Sequence, residues 1–427
     1  MIPKTFNQVT LKKGEAKVTG KMGLAWIYHC LEHYGVINDL RRTLDKEKKS
    51  NRAIAASEKI VDGVLSRMAG SDCIEGIEVI RADRALIKSL GKERLTAADT
   101  LREYLKGGIE FTYVQERAVI EAMRRSEVEE FTYDNDATYF DCGKKSAEYS
   151  YQGRRQYSGL MGYIAELELC NTVEFRPGNI SPAAGIKGQL KQAVGQAKEA
   201  GKRIRRFRSD SAAHQSDIFK YCDKKGIAYY ISLSKNEAVM KTVKRIKGSE
   251  WQKLGSAYAE RNDTEWAESV YVTDAGVSVR MMVLRWLNPQ RDLFNHEEYC
   301  YHAIGTNNNE LDPMEWLRIH NGRMGSEKYH TELKSGYGCD YAPSHNFEMN
   351  RGYFLLGVFA YNLMQIVKLF YLGTETFSWR IKRIRYWFIN TCGKIIKTGR
   401  RYYCKILNAT EETYELFEQC LYQLRIG

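Results

Sequence analysis

The chain has 427 residues, too many for one simple core, so two to four structural units are expected. Hydrophobic residues at 43% and charged residues at 28% exclude a disordered chain. No run of about 18 uninterrupted apolar residues marks a membrane span. Sixty-five basic residues against 53 acidic ones leave a net charge of +12, which suits a nucleic-acid partner because neutralised phosphates release counterions.

The opening stretch, MIPKTFNQVTLKKGEAK, lacks the apolar core of a signal segment, so the protein is expected to stay where it is made. Ten cysteines without one Cys-x-x-Cys pair argue against a zinc ribbon or a disulfide framework and read as reduced, mostly structural thiols. The 28 tyrosines, interleaved with Lys and Arg, suit a surface that holds phosphate and stacks on bases, and equally suit ordinary core and rim packing.

Residues 1–125 read as a helical, DNA-binding N-terminal region. Gly23–Tyr34 and Ala53–Met68 place apolar residues at three- and four-residue steps. Ile80–Leu105 predicts two helices split by Leu90-Gly91-Lys92, with Thr96 as N-cap of the second. Two short helices and a Gly turn fit a helix-turn-helix that enters a DNA groove, or plain helical packing.

The texture changes near residue 129. Glu129–Asp136, Ala147–Tyr151 and Gly162–Leu169 have strand composition and are separated by Gly-containing turns at Tyr151-Gln152-Gly153 and Ser158-Gly159. Helix is predicted over Gly185–Ala200, strand over Ile204–Arg208, helix over Gln215–Lys225 and strand over Ile227–Leu233. That order fits a ribonuclease-H-like mixed α/β sheet, with residues 126–236 as the first part of a catalytic core. Residues 237–311, with Trp251, Trp266 and Trp286 and the strand candidates Val277–Trp286 and Tyr299–Ile304, predict a β-rich insertion. The core resumes over residues 312–372 with a helix across Pro313–Lys334, Pro313 sitting near its first turn. Phe354–Leu372 reads as a buried helix, since Asn362, Gln365 and Lys368 do not suit lipid. Residues 373–427 read as a basic C-terminal helical region.

Three carboxylates stand out by position: Asp136 on the first strand, Asp210 after the fourth and Glu327 on the helix beyond the insertion. The first and fourth strands of a ribonuclease-H-like sheet are neighbours, and a late helix crosses beside them. Carboxylates there can hold two hard cations about 4 Å apart for phosphoryl transfer. Their contexts are Tyr133-Asp134-Asn135-Asp136-Ala137-Thr138, Phe207-Arg208-Ser209-Asp210-Ser211 and Arg323-x3-Glu327-x6-Lys334. Asp134 and Asp136 share a strand face, so periodicity does not choose between them. His320, Arg323, Glu327 and Lys334 follow at steps of three, four and seven, along one face of a continuous helix.

These contexts resemble the insertion-sequence DDE transposases over roughly residues 50–370. They match the family's Asp-x-Thr, its Arg-x-Asp-Ser and three elements of its Tyr-x2-Arg-x3-Glu-x6-Lys helix signature. His320 stands at the signature's tyrosine position. Ser146–Ala165 and Arg176-Pro177-Gly178-Asn179 are similar to the same group. The resemblance implies that Asp136, Asp210 and Glu327 bind two Mg²⁺ ions, with Mn²⁺ as a substitute, and that His320, Arg323 and Lys334 contact DNA. It implies that the β-rich insertion stacks on a flipped base or braces a hairpin, with Tyr299 and Tyr301, or Trp286, as the aromatics. It further implies double-stranded transposon-end and target DNA as partners, a homodimer on paired ends and a nucleoid-associated place in the bacterial cytoplasm, away from membranes. His214 follows Asp210 closely but lacks a nucleophile partner, His296 and His302 are too isolated for a zinc site, and no phosphate-binding loop for ATP is present.

Overall fold

The computed structural model describes residues 17–45, 53–255, 263–289, 298–399 and 401–426, and His296 lies outside them. It resolves into two compact units. One comprises Thr112–Ser335 with Cys339–Gln365, and the other Met1–Phe111, Gly336–Gly338 and Ile366–Gly427.

The first unit is built on a ten-stranded mixed sheet of the ribonuclease-H-like kind, with its strands in chain order as follows. They are β1 (Glu130–Asp141), β2 (Glu148–Tyr149), β3 (Arg155–Ile164), β4 (Leu169–Pro177), β5 (Arg203–Ser209), β6 (Ala228–Leu233), β7 (Gln252–Lys253), β8 (Glu265–Val272), β9 (Ser278–Leu287) and β10 (Tyr299–Thr306). Both β2 and β4 pair with β3, and the order then runs β1, β5, β6, β10, β9, β8, β7. Strand β3 is antiparallel to β1, while β1–β5 and β5–β6 are parallel. The helix Ile186–Glu199 connects β4 to β5, and Ser216–Lys225 connects β5 to β6.

One sequence expectation is corrected within this sheet. The third predicted strand, Gly162–Leu169, straddles a turn, and residues 155–177 form two paired strands. No glycine announces that turn, because Glu168 itself takes the left-handed conformation at φ 52°. The expected glycine signal, Gly159, lies inside β3, where a Cβ would come within 3.1 Å of the Phe354 ring. The β-rich insertion also extends the core sheet: β10 pairs antiparallel with β6 from Ala303–Leu233 to Thr306–Tyr230. Tyr230, Met282, Ile304 and Trp316 share one buried cluster, so insertion and core are packed together.

The helix Phe347–Leu372 is long and apolar enough to cross a membrane by composition, but 89% of its apolar window is buried in protein. Its polar residues are bound at specific places. Asn362 exchanges two hydrogen bonds with the Cys170 backbone, at 2.8 and 2.7 Å, and Tyr361 donates to the Glu168 carbonyl at 2.7 Å.

The second unit is mainly helical, with Met22–Tyr34, Val36–Leu44, Ala56–Ala69, Ile77–Arg81, Arg84–Ser89, Ala98–Leu105 and Glu411–Ile426. Thr96 is not an N-cap. It is buried, and its backbone N and Oγ1 donate to Asp62 at 2.7 and 2.8 Å, while Lys92 pairs with Asp62 at 2.6 Å. A buried carboxylate requires such partners, and this demand outweighs the local capping preference. The tail is not wholly helical: β11 (Cys392–Thr398) and β12 (Arg401–Leu407) form an antiparallel hairpin.

Candidate active site

Strand β1 divides its side chains between two environments. Asn135 turns toward the helix Ile186–Glu199 and donates to Gln189 Oε1 at 2.8 Å. Asp134 and Asp136 point to the opposite face. Asp134 is 1% exposed and receives Arg208 in a two-pronged pair, Nε at 2.6 Å and Nη2 at 2.7 Å. Burial raises the Asp134 carboxyl above its ordinary range, and Arg208 opposes that rise. With both oxygens engaged by one guanidinium, Asp134 has the geometry of a positioning group.

Asp136 is arranged differently. Its Oδ1 accepts the Ala137 N–H at 2.9 Å, and its Oδ2 faces Arg323 Nη1 and Ser326 Oγ, both at 3.4 Å. The parallel register pairs Asn135 with Ser209, so the next step along the two strands brings Asp136 beside Asp210. Asp210 leaves β5 in extended conformation and caps a short turn of 3-10 helix, its Oδ1 accepting from Ala212 N at 2.9 Å.

Glu327 stands exposed in the first turn of the helix Gly325–Tyr337. The expected continuous helix over Pro313–Lys334 is interrupted. Pro313–Asn321 gives way to a 3-10 turn at Gly322–Met324 before Gly325–Tyr337 begins. Arg208 accounts for the position of the break. Its Nη1 donates to the Ile319 carbonyl at 2.9 Å, and a Cβ at residue 322 would lie 2.2 Å from that nitrogen. Held by three hydrogen bonds, the guanidinium cannot give way, so residue 322 has no room for a side chain. A 3-10 turn advances about 120° per residue instead of about 100°, so the winding between His320 and Glu327 is tighter than a continuous helix gives.

His320 faces the core. It is 5% exposed, its Nε2 lies 3.1 Å from Ser232 Oγ, and burial with the nearby His302 pushes its pKa down to about 3. A neutral, buried imidazole is unsuited to the phosphate contact that the signature position implies. Arg323 sits in the 3-10 turn beside Asp136, and its Nε–H is buried without an acceptor. Lys334 donates to the Tyr139 carbonyl at 2.8 Å and lies 5.1 Å from the centre of the Phe140 ring. It lines a cleft of about 650 Å³ together with Asp210, Tyr139, Tyr151, Arg154 and Asp340. Ser326, Tyr151 and Arg154 were not singled out by sequence, because an exposed Tyr or a Ser beside an acid has no periodic signal.

Tyr299 and Tyr301 lie half-buried on one face of β10, with ring centres 6.5 Å apart. Arg285, opposite Tyr301 on β9, stacks at 4.4 Å on Tyr299 and at 4.0 Å on Trp251. Trp286, on the alternating face, is opposite Cys300.

The charges converge on Asp136. Burial, then the negative charge of Asp210, and more weakly that of Glu327, push its pKa up to about 6, with Arg323 opposing. Mg²⁺ and Mn²⁺ are hard cations that prefer such oxygen donors, and a cation here would offset the repulsion among the three acids. The donor set therefore fits a divalent metal in chemistry, although among the described residues no three side chains already stand at metal-ligand spacing.

The family model described as Transposase DDE domain group 1 matches residues 3–426, and the chain belongs to that family. It is thus a transposase by family, a class of DNA-cutting enzymes. The chain is similar to a solved structure titled as a cryo-EM piggyBac transposase synaptic complex with hairpin DNA. That match has 10% identity and a TM-score of 0.41, and covers 95% of this chain and 80% of that one. No curated protein matches the sequence.

Proposed function

We propose that this transposase cuts the ends of an insertion sequence and joins the freed 3′-hydroxyl to target DNA, using Asp136, Asp210 and Glu327 as ligands for two Mg²⁺ or Mn²⁺ ions. The observation that carries this reading is the placement of Asp210 beside Asp136 by the parallel β1–β5 register, with Glu327 on the helix after the insertion; burial raises the Asp136 pKa most, and the charges of Asp210 and, more weakly, Glu327 raise it further. Divalent ions bound there supply charge that favours the attacking and leaving oxygens of phosphoryl transfer. The protein's own groups bind and orient the substrate. Arg323 places a cation beside Asp136, and Lys334 places one at the cleft wall. Tyr299 and Tyr301, braced by Arg285, present ring surface to an extruded base. Double-stranded end and target DNA, a homodimer on paired ends and the bacterial cytoplasm complete the reading.

The test is Mg²⁺-dependent nicking of the DNA that flanks the coding sequence, followed against pH. Only ionised Asp136 can serve as a ligand, so nicking is expected to fall as pH drops through about 6 at low Mg²⁺. Raising Mg²⁺ should move that midpoint down, because cation and proton compete for the same oxygens. Arg323→Gln removes the charge that lowers the Asp136 pKa, so its midpoint should move up. Nicking that is independent of Mg²⁺, or a midpoint that ignores its concentration, would oppose the proposal.

A further inference from the structure

Residues 376–410 contain nine Lys or Arg and no Asp or Glu, in a chain whose whole net charge is +12. One of the nine, Arg385, is consumed by structure, donating to the Met68 and Arg67 carbonyls at 2.8 and 2.9 Å. Arg380, Lys382, Arg383, Lys397 and Lys405 are exposed and Lys394 is half-buried. Among the described residues none of these six is ion-paired.

Three of the six lie on the β11–β12 hairpin, which is fixed at its root. Thr19 and Gly393 exchange backbone hydrogen bonds at 3.0 and 2.9 Å, and a Cβ at residue 393 would press within 2.8 Å of Met22. Beyond that anchor the ribbon is open to solvent, with Tyr402 68% and Tyr403 47% exposed. Lys394 stands directly opposite Lys405, and Lys397 opposite Tyr402, with its Nζ 5.4 Å from the ring centre. Like charges directly across a strand pair are destabilising, and here no acid offsets them. An isolated two-stranded ribbon is itself marginal in water. Both costs fall when a polyanion lies along the ribbon.

We infer that the β11–β12 hairpin is a second DNA-contacting surface, separate from the three acids, that grips the duplex phosphate backbone through Lys394, Lys397 and Lys405. The inference rests on the transposase reading for its partner. A two-stranded ribbon has the width of a B-DNA major groove, and Lys beside exposed Tyr suits phosphate and sugar contacts.

The test uses full-length protein with duplex flanking DNA over a salt series. K394Q/K397Q/K405Q is expected to reduce the slope of log affinity against log salt by about two to three, at about 0.9 per lost phosphate contact. K394R/K397R/K405R should keep the wild-type slope. An unchanged slope in the glutamine variant, beside a wild type that binds and nicks, would overturn the hairpin assignment alone. So would an unchanged slope with lost self-association in sedimentation, which would make the ribbon a protein interface. A wild type that neither binds nor nicks would overturn the transposase reading as well, and needs no hairpin variant to be seen.

Discussion

Replacing Asp136 with asparagine is expected to have two opposite effects, one on chemistry and one on stability. Mg²⁺-dependent cutting and joining should fall below about one-thousandth of wild type, because the variant keeps the volume but loses the charge a cation needs. Asp210→Asn and Glu327→Gln should behave alike in that assay. Stability should move the other way. The Asp136 pKa rises from 3.8 to about 6 in the fold, so the folded state binds the proton more tightly than the unfolded state. Wild-type stability is therefore lost as pH rises through that window, by about 3 kcal/mol in total. In the absence of divalent metal at pH 7, Asp136→Asn should melt several degrees higher than wild type. The difference should vanish below pH 3.8, where both side chains are neutral. Saturating Mg²⁺ should stabilise wild type and leave the variant nearly unmoved. A variant that melts with wild type at every pH would mean that Asp136 is an ordinary solvated acid.

The second large effect concerns the acid two residues earlier. Asp134→Asn leaves the Arg208 guanidinium, 11% exposed, without its counter-charge. Breaking a buried pair from one side costs about 3–5 kcal/mol. Arg208→Met should cost a similar amount less the part recovered when Asp134 takes up a proton, since burial already favours its neutral form. The double variant D134N/R208M should lose less than the two single losses added, because neither charge is then stranded. Urea unfolding of the four proteins measures this directly. Nicking should decline in proportion to the folded fraction and the slackened Gly322 turn, without disappearing. If Asp134→Asn instead keeps full stability and loses all cutting, while Asp136→Asn stays active, the ligand on β1 is Asp134.

The acids were legible because their neighbours match a known motif and because Asp210 and Glu327 sit where a chain element ends or begins, whereas Asp136 lies mid-strand in β1. It could not separate Asp134 from Asp136, which alternate onto the same face; the Arg208 pair distinguishes them, and that pair is a contact across 74 residues. The break at Gly322 was hidden for the same reason. Nothing in Pro313–Lys334 shows that an arginine from β5 occupies the space of a side chain at residue 322. His320 was misplaced because its burial against Ser232 on β6 is likewise a contact across 88 residues. The β3–β4 turn escaped because Glu168 adopts a conformation usually signalled by glycine. The β-rich composition of the insertion was readable, but its hydrogen bonding to β6 was not, because strand pairing depends on long-range register. The hairpin in the tail was masked by an acid-free, aromatic-rich segment whose periodicity favours neither helix nor strand.

The most direct test of the central claim is strand joining with a precut end. A duplex ending in the 3′-hydroxyl of the element is incubated with target DNA, Mg²⁺ and purified protein, and covalent joints are separated on a denaturing gel. Joined product is expected with wild type and Mg²⁺, none with EDTA and none with Asp210→Asn. Efficient cutting of uncut DNA with no joined product from the precut end would contradict strand transfer and leave a ribonuclease-H-like nuclease in its place.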